Sequence, residues 1–214
     1  MNVLVIGANG QIGKHLISQL HEDPNHTVRA MVRKQEQAEA LEQAGVEAVL
    51  ADLESTVEEL AEAMKGNDAI VFTAGSGGST GADKTLLIDL DGAVKTVEAA
   101  EKAGISRYIM VSALYAEERT KWADSIKPYY VAKHYADRLL ESSQLNYTII
   151  RPGGLKNEPG TGKVTTNPQE GESTIPREDV AAVIAAVLEA ENTFRKAFPL
   201  ISGAETVREA VGKI

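Results

Sequence analysis

Tyr129 and Lys133 stand four residues apart in the segment "PYYVAKHYAD", residues 128 to 137, so on a helix they share one face. The same spacing relates Tyr130 to His134. A phenol beside an ammonium is an acid/base pair: tyrosine alone titrates near ~10, and a neighbouring cation favours the phenolate, easing proton exchange with a substrate oxygen. A Y-x-x-x-K match fixes two positions only, and a solvated helix face is the competing reading. Spacing by itself does not choose between the two tyrosines.

Composition narrows the functions open to such a pair. The chain has 214 residues, 43% of them hydrophobic and 25% charged, which fits one large soluble domain. No apolar run approaches the ~20 residues that cross a bilayer, and the opening "MNVLVIGANG" is too short and lacks the basic start of a signal peptide. With no cysteine there are no disulfides, thiolate nucleophiles or thiolate metal sites, and a cytoplasmic location is expected. The net charge of -9 disfavours nonspecific binding to nucleic acid or acidic membranes. His15, His21, His26 and His134 are scattered without ligand spacing, so no metal is expected. Nothing here separates monomer from homodimer.

Elements must place these side chains. Short aliphatic runs ("NVLVIG", "HTVRAMVR", "VEAVLADL", "DAIVFTAG") alternate with stretches of helical period ("QIGKHLISQL", "QEQAEALEQA", "TVEELAEAMK"). The second half repeats the rhythm through "DLDGAVKTVEAAEKAG", "RYIMVSAL", "YYVAKHYADRLLESS", "NYTIIRPGG" and "REDVAAVIAAVLEAE" to "RKAFPLISG". Glu178 and Asp179 mark the start of the last of these helices. Strands this apolar suit an α/β fold: a doubly wound, mostly parallel sheet with helices on both faces, in one domain. Two stretches rich in Gly, Pro, Ser and Thr, about 75–84 and 153–174, are expected to be loops at the ligand-binding edge, their glycines implying mobility.

The first strand runs into the first helix through "GANGQIG", with Gly7, Gly10 and Gly13. Gly7 permits a tight turn, Gly10 lets backbone approach a pyrophosphate, Gly13 allows close helix packing, and the helix amino end offers N–H groups and a positive dipole. In this context the pattern points to a dinucleotide. An acidic residue at the end of the second strand would favour NAD; Arg33, with Lys34 beside it, stands there instead and favours NADP(H). Asp52 ends the third strand, where its carboxylate would accept from an adenine amino group or cap the helix beginning near Thr56.

Several ordered segments together, "GANGQIG", "ADL", "TAG", "DLDGAVKTVEAAEKAGISRYIMVSA", "YYVAK", "NYTIIRPGGL" and "REDVA", resemble the short-chain dehydrogenase/reductase superfamily. The likeness is to its atypical single-domain branch, related to the epimerase/dehydratase and NmrA-like proteins, and implies a Rossmann fold over nearly the whole chain. It also implies that Ser112 hydrogen-bonds a substrate carbonyl, that Tyr129 is the acid/base and that Lys133 is its partner and donates to the nicotinamide ribose. Tyr130 has no family role. Gly7, Asn9, Gly10, Gln11, Ile12, Gly13, Arg33, Asp52, Leu53, Ala74, Gly75, Pro152 and Gly153 fall at the family's cofactor-binding positions. The family's asparagine is replaced by Asp89, an anion expected to orient Lys133 through water while changing the local charge. Arg177 is expected at a helix start on the surface, with a phosphate contact as the alternative.

The expected activity is therefore NADP-dependent oxidation or reduction of a small carbonyl or quinone-like substrate. Epimerase/dehydratase chemistry and a non-catalytic NADP(H) sensor of the NmrA-like kind are the alternatives. Only about sixty residues follow Arg151, too few for a large substrate lobe.

Overall fold

The computed structural model describes residues 1–78, 80–169 and 173–214. Residue 79 of the first anticipated loop and residues 170–172 of the second lie outside the described residues. The first half alternates strictly: β1 (Asn2–Ile6), α1 (Gln11–Glu22), β2 (Thr27–Val32), α2 (Gln35–Gln43), β3 (Glu47–Leu50), α3 (Val57–Met64) and β4 (Ala69–Phe72). Then α4 (Ala82–Lys84) runs through a π-helical stretch, Thr85–Gly92, directly into α5 (Ala93–Lys102). There follow β5 (Arg107–Val111), α6 (Lys127–Ser142), β6 (Asn146–Pro152), β7 (Gly154–Lys156), β8 (Lys163–Thr165), β9 (Thr174–Pro176), α7 (Arg177–Val187), β10 (Lys196–Ser202), β11 (Glu205–Thr206) and α8 (Val207–Gly212).

The main sheet has the order β11-β8-β10-β6-β5-β4-β1-β2-β3. It is parallel from β10 to β3; β8 joins antiparallel to β10, and β11 forms the edge antiparallel to β8. The chain winds outward from β1 to β3 and returns to β4 on the other side, so a crevice opens at the carboxyl ends of β1 and β4. β1 shows why its residues form a central strand: Val3 and Val5 pack into the cluster under α1, α2, α7 and α8, while Leu4 and Ile6 pack under α3, α5 and α6. Burial on both faces contributes about 1.5–3 kcal/mol for each such side chain, which is why the strand carries no polar alternation.

The segment expected to be a loop over 153–174 contains two short strands. Gly154–Lys156 pairs with β9 in a separate parallel ribbon, and Lys163–Thr165 joins the main sheet. Among the described residues no helix is long and apolar enough to cross a membrane.

Candidate active site

The glycine loop forms where β1 meets α1. Gly7 has φ +85°, and a Cβ there would lie 2.6 Å from the backbone nitrogen of Ala74. A Cβ on Gly13 would drive into the Gly7 carbonyl oxygen, so the first turn of α1 lies against the loop. Thr73 Oγ1 donates to the Ile6 carbonyl (2.9 Å) and ties the end of β4 to that of β1. Gly10 is the N-cap of α1 and supplies no side-chain acceptor, so the helix amino end offers bare N–H groups beside exposed Asn9 and Gln11. Ile12 and Gly13 are buried beneath. This cradle, which side chains would fill, fits a pyrophosphate.

Arg33 directly follows β2 and is exposed, making no hydrogen bond or ion pair among the described residues; Lys34 beside it pairs with Glu36 at 3.4 Å. Asp52 is exposed after β3, but it does not cap α3. Its Oδ1 accepts the Glu54 N–H (3.0 Å), while Thr56 is the N-cap and exchanges hydrogen bonds with Glu59. Leu53 is buried against Gly92. Ala74 and Gly75 line the end of β4, Gly75 close against the Asp89 carboxylate.

Ser112, Tyr129, Lys133 and Asp89 come together from three places in the chain, the end of β5, α6 and the π-helical stretch. Ser112 continues the ladder of β5, its N–H donating to the Ile150 carbonyl at 2.8 Å. Tyr129 and Lys133 lie on one face of α6, with the ammonium 5.7 Å from the phenol ring centre. Lys133 Nζ donates to the Val111 carbonyl (3.3 Å) and meets Asp89 Oδ1 at 3.4 Å, so the water-mediated contact anticipated for Asp89 is a direct ion pair. The π-helical turn directs Asp89 inward, where Oδ2 also accepts the Ser76 N–H at 2.9 Å. Burial alone would push Lys133 down, but the attraction of Tyr129, Asp89 and Asp137 outweighs it and holds the ammonium above its usual range. Burial pushes the Tyr129 phenol up; Lys133 opposes this, and Asp89 adds to it. Lys133 favours the phenolate as expected, but burial prevails, so the phenol beside the charged lysine holds its proton more tightly than a free tyrosine does.

Two residues that the sequence did not single out sit in the same cluster. Asp137 is four residues beyond Lys133, on the same face of α6, and is 2% exposed. Arg151, from β6, donates from Nε to Asp137 Oδ2 at 3.0 Å and also pairs with Glu117 and Glu141. Burial pushes Asp137 up to about 6, against the pull of Arg151, Ser112 and Lys133. The i, i+4 repeat from Tyr129 through Lys133 to Asp137 was the signal available in the sequence.

The second tyrosine is used in packing. Tyr130 stacks on Trp122 with ring centres 5.9 Å apart. His134 Nδ1 lies 2.9 Å from the Ala116 carbonyl and Nε2 lies 3.1 Å from Arg119, which makes Nδ1 the donor and Nε2 the acceptor. Pro152 ends β6 and its carbonyl accepts the Leu114 N–H, while Gly153 lies so close to Ser173 that a Cβ would strike its carbonyl. Beyond it residues 157–162 are anchored to the start of α7. Arg177 donates to Asn157, Glu178 accepts the Gly160 N–H, and Asp179 accepts from the N–H groups of Thr161 and Gly162 and from the Thr161 hydroxyl. Arg177 is thus a loop anchor at a helix start. A small cavity, about 200 Å³, opens between the segment after β5 and that after β8, lined by Leu114, Tyr115, Glu117, Lys121, Pro168 and Pro199. The larger depression, about 480 Å³, lies at the opposite edge beside Asn67, Gly104 and Glu191.

The profile of a family described as "NAD(P)H-binding" matches residues 7–191. The chain is 59% identical over its full length, and that of its relative, to the Bacillus subtilis protein named "Uncharacterized sugar epimerase YhfK". Among solved structures it is similar to a putative NAD-dependent epimerase/dehydratase from Bacillus halodurans, with 44% identity, TM-score 0.93 and all of both chains covered. It is also similar to ChuY, described as an "Anaerobillin Reductase", from Escherichia coli O157:H7, with 28% identity, TM-score 0.81, and 94% of this chain and 97% of that one covered.

Proposed function

Since the chain belongs to the NAD(P)H-binding Rossmann family, with epimerase/dehydratase-like and reductase proteins as its structural neighbours, we propose that it is an NADP(H)-dependent oxidoreductase of the atypical short-chain dehydrogenase/reductase type. Its substrate is a small carbonyl or quinone-like molecule. The observation that carries this reading is the grouping of buried Ser112 and Lys133 with half-buried Tyr129, Lys133 ion-paired to Asp89, at the carboxyl edge of the sheet beside the glycine cradle. When bound, the nicotinamide supplies the hydride.

The chain's own groups do the rest. The first turn of α1 and the glycine loop hold pyrophosphate, and Arg33 pairs with a ribose 2'-phosphate. Ser112 donates to the substrate oxygen and Tyr129 delivers the proton that oxygen needs. Lys133 stays charged, so the tyrosine is drawn toward the phenolate as its proton leaves. Ala74, Gly75, Pro152 and Gly153 wall the cofactor.

The names of the two Bacillus relatives favour a second reading, an epimerase or dehydratase, in which hydride leaves the substrate and returns. The likeness to ChuY, a reductase by name, favours net reduction. A panel of small aldehydes, ketones and quinones offered with NADPH separates them. Oxidised NADP accumulating one for one with reduced product supports the proposal, and turnover of a sugar nucleotide without net change in NADPH overturns it.

A further inference from the structure

The catalytic grouping contains a mismatch that none of the roles above uses. Ser112 Oγ and Asp137 Oδ1 are both buried and both lack a hydrogen-bond partner. The Ser112 hydroxyl is nevertheless near enough to be among the influences that lower Asp137, although the two do not meet in good hydrogen-bonding geometry. Ser112 lies next to Arg151 across β5 and β6, and Arg151 holds Asp137, so a buried hydroxyl and a buried carboxyl oxygen in one cluster are left unpaired, which is costly.

We propose that Asp137 is a positioning residue that sets the direction of the Ser112 hydroxyl, and thereby whether that hydroxyl offers its proton to a substrate oxygen. This deepens the oxidoreductase reading and rests on it for the kinetic part only. Asp137 has two oxygens with different partners. Oδ2 is fixed by Arg151 Nε at 3.0 Å, which requires an acceptor, so any proton on the carboxyl sits on Oδ1, the buried oxygen left without a partner. Protonated, Asp137 donates to Ser112 Oγ and turns the serine proton outward, toward a carbonyl. Ionised, it accepts that proton and leaves serine lone pairs outward, suited to an alcohol. The protonation state of one buried carboxyl then favours reduction at lower pH and oxidation at higher pH.

The groups facing Asp137 decide where that change falls. Lys133 on α6 and Arg151 on β6 favour the anion, as does Ser112 after β5, while burial opposes it and prevails, placing the change near pH 6. Asp89 and Tyr129 lie across Lys133, and Glu117 and Glu141 share Arg151 and dilute its pull.

Two experiments test this on the full chain. In the first, the Asp137 carboxyl is titrated by carbon-13 NMR in the wild type and in Ser112→Ala, its signal assigned by loss in Asp137→Asn. Removing a hydroxyl that stabilises the anion raises the midpoint by about half a unit or more, and an unchanged midpoint overturns the proposal. This arm needs neither cofactor nor substrate. In the second, NADPH oxidation with menadione is followed against pH. In Asp137→Asn the side-chain oxygen remains on Arg151 and the amide donates permanently to Ser112 Oγ, mimicking the protonated acid. The wild-type rate rises as pH falls through about 6, whereas the variant keeps the acid-side rate across the range with its KM for NADPH unchanged. A variant that retains the wild-type limb, or is about tenfold slower at every pH, shows a merely structural role and overturns the proposal. A wild type inactive on every carbonyl and quinone overturns the oxidoreductase reading instead, and the NMR arm then decides the positioning role alone.

Discussion

Replacing Arg33 by alanine tests the proposed preference for NADP(H) apart from everything else the fold does. Arg33 is exposed, follows β2 at the rim of the crevice, and has no ion pair or hydrogen bond among the described residues that its loss would break. Stability should therefore change by no more than about 0.5 kcal/mol, so the variant remains folded and comparable. Its guanidinium pairing with a 2'-phosphate would be charge-assisted, worth about 1.5–3 kcal/mol before screening. At physiological ionic strength an exposed pair keeps the lower part of that range, about 1.4–2 kcal/mol, or ten- to thirtyfold in Kd. NADH lacks that phosphate, so its affinity should hardly move. Titration of both proteins with NADPH and NADH, read by nicotinamide fluorescence, gives four constants. Selective weakening of NADPH, shrinking as salt is raised, supports the assignment. Equal weakening of both dinucleotides, or of neither, refutes it.

Other substitutions probe the buried groups. Asp89→Asn keeps an acceptor for the Ser76 N–H but leaves Lys133 with one fewer anion, so urea denaturation should show a loss of about 2–3 kcal/mol; a loss below about 0.5 would mean the ion pair is immaterial. Asp179→Ala leaves the Thr161 and Gly162 amides without their acceptor, at about 3 kcal/mol, and amide exchange at those two residues should accelerate while the core of the sheet stays protected. Asp137 is raised when folded, so the native state holds a proton that the unfolded chain releases. Its contribution is present at low pH and lost as pH rises from about 4 to about 6, by up to about 3 kcal/mol. Wild type measured against Asp137→Asn should show that decline, and a flat difference would contradict it.

Much of this was legible because the relevant physics is local. Strands buried on both faces must be continuously apolar, so "VLVI" and "AIVF" identify themselves, and the glycines of "GANGQIG" stand where backbone crowds backbone. Helical spacing puts Tyr129 and Lys133 on one face, while the resemblance, not the spacing, singles out Tyr129 over Tyr130. Thr56 as the N-cap was legible too, in the T-x-x-E pattern it makes with Glu59, yet Asp52 drew attention from it. What escaped depends on distant partners. Gly154–Lys156 and Lys163–Thr165 have loop-like compositions and become strands because β9 and β10 offer edges. Asp137 and Arg151 meet only because α6 packs over β6, and the π-helical turn that directs Asp89 inward has no residue signature of its own. The net effect on Tyr129 has the same origin: the lysine that favours the phenolate is visible in the sequence, while the burial that outweighs it is not.

Tyr129 as the proton donor stands or falls on single-turnover hydride transfer from NADPH to a carbonyl or quinone that the wild type reduces, compared in wild type and Tyr129→Phe. The variant keeps the ring and loses only the proton. NADPH affinity should be unchanged and the transfer rate at least about a hundredfold lower, the size of a general acid's contribution. Undiminished transfer in Tyr129→Phe would remove the tyrosine from the chemistry.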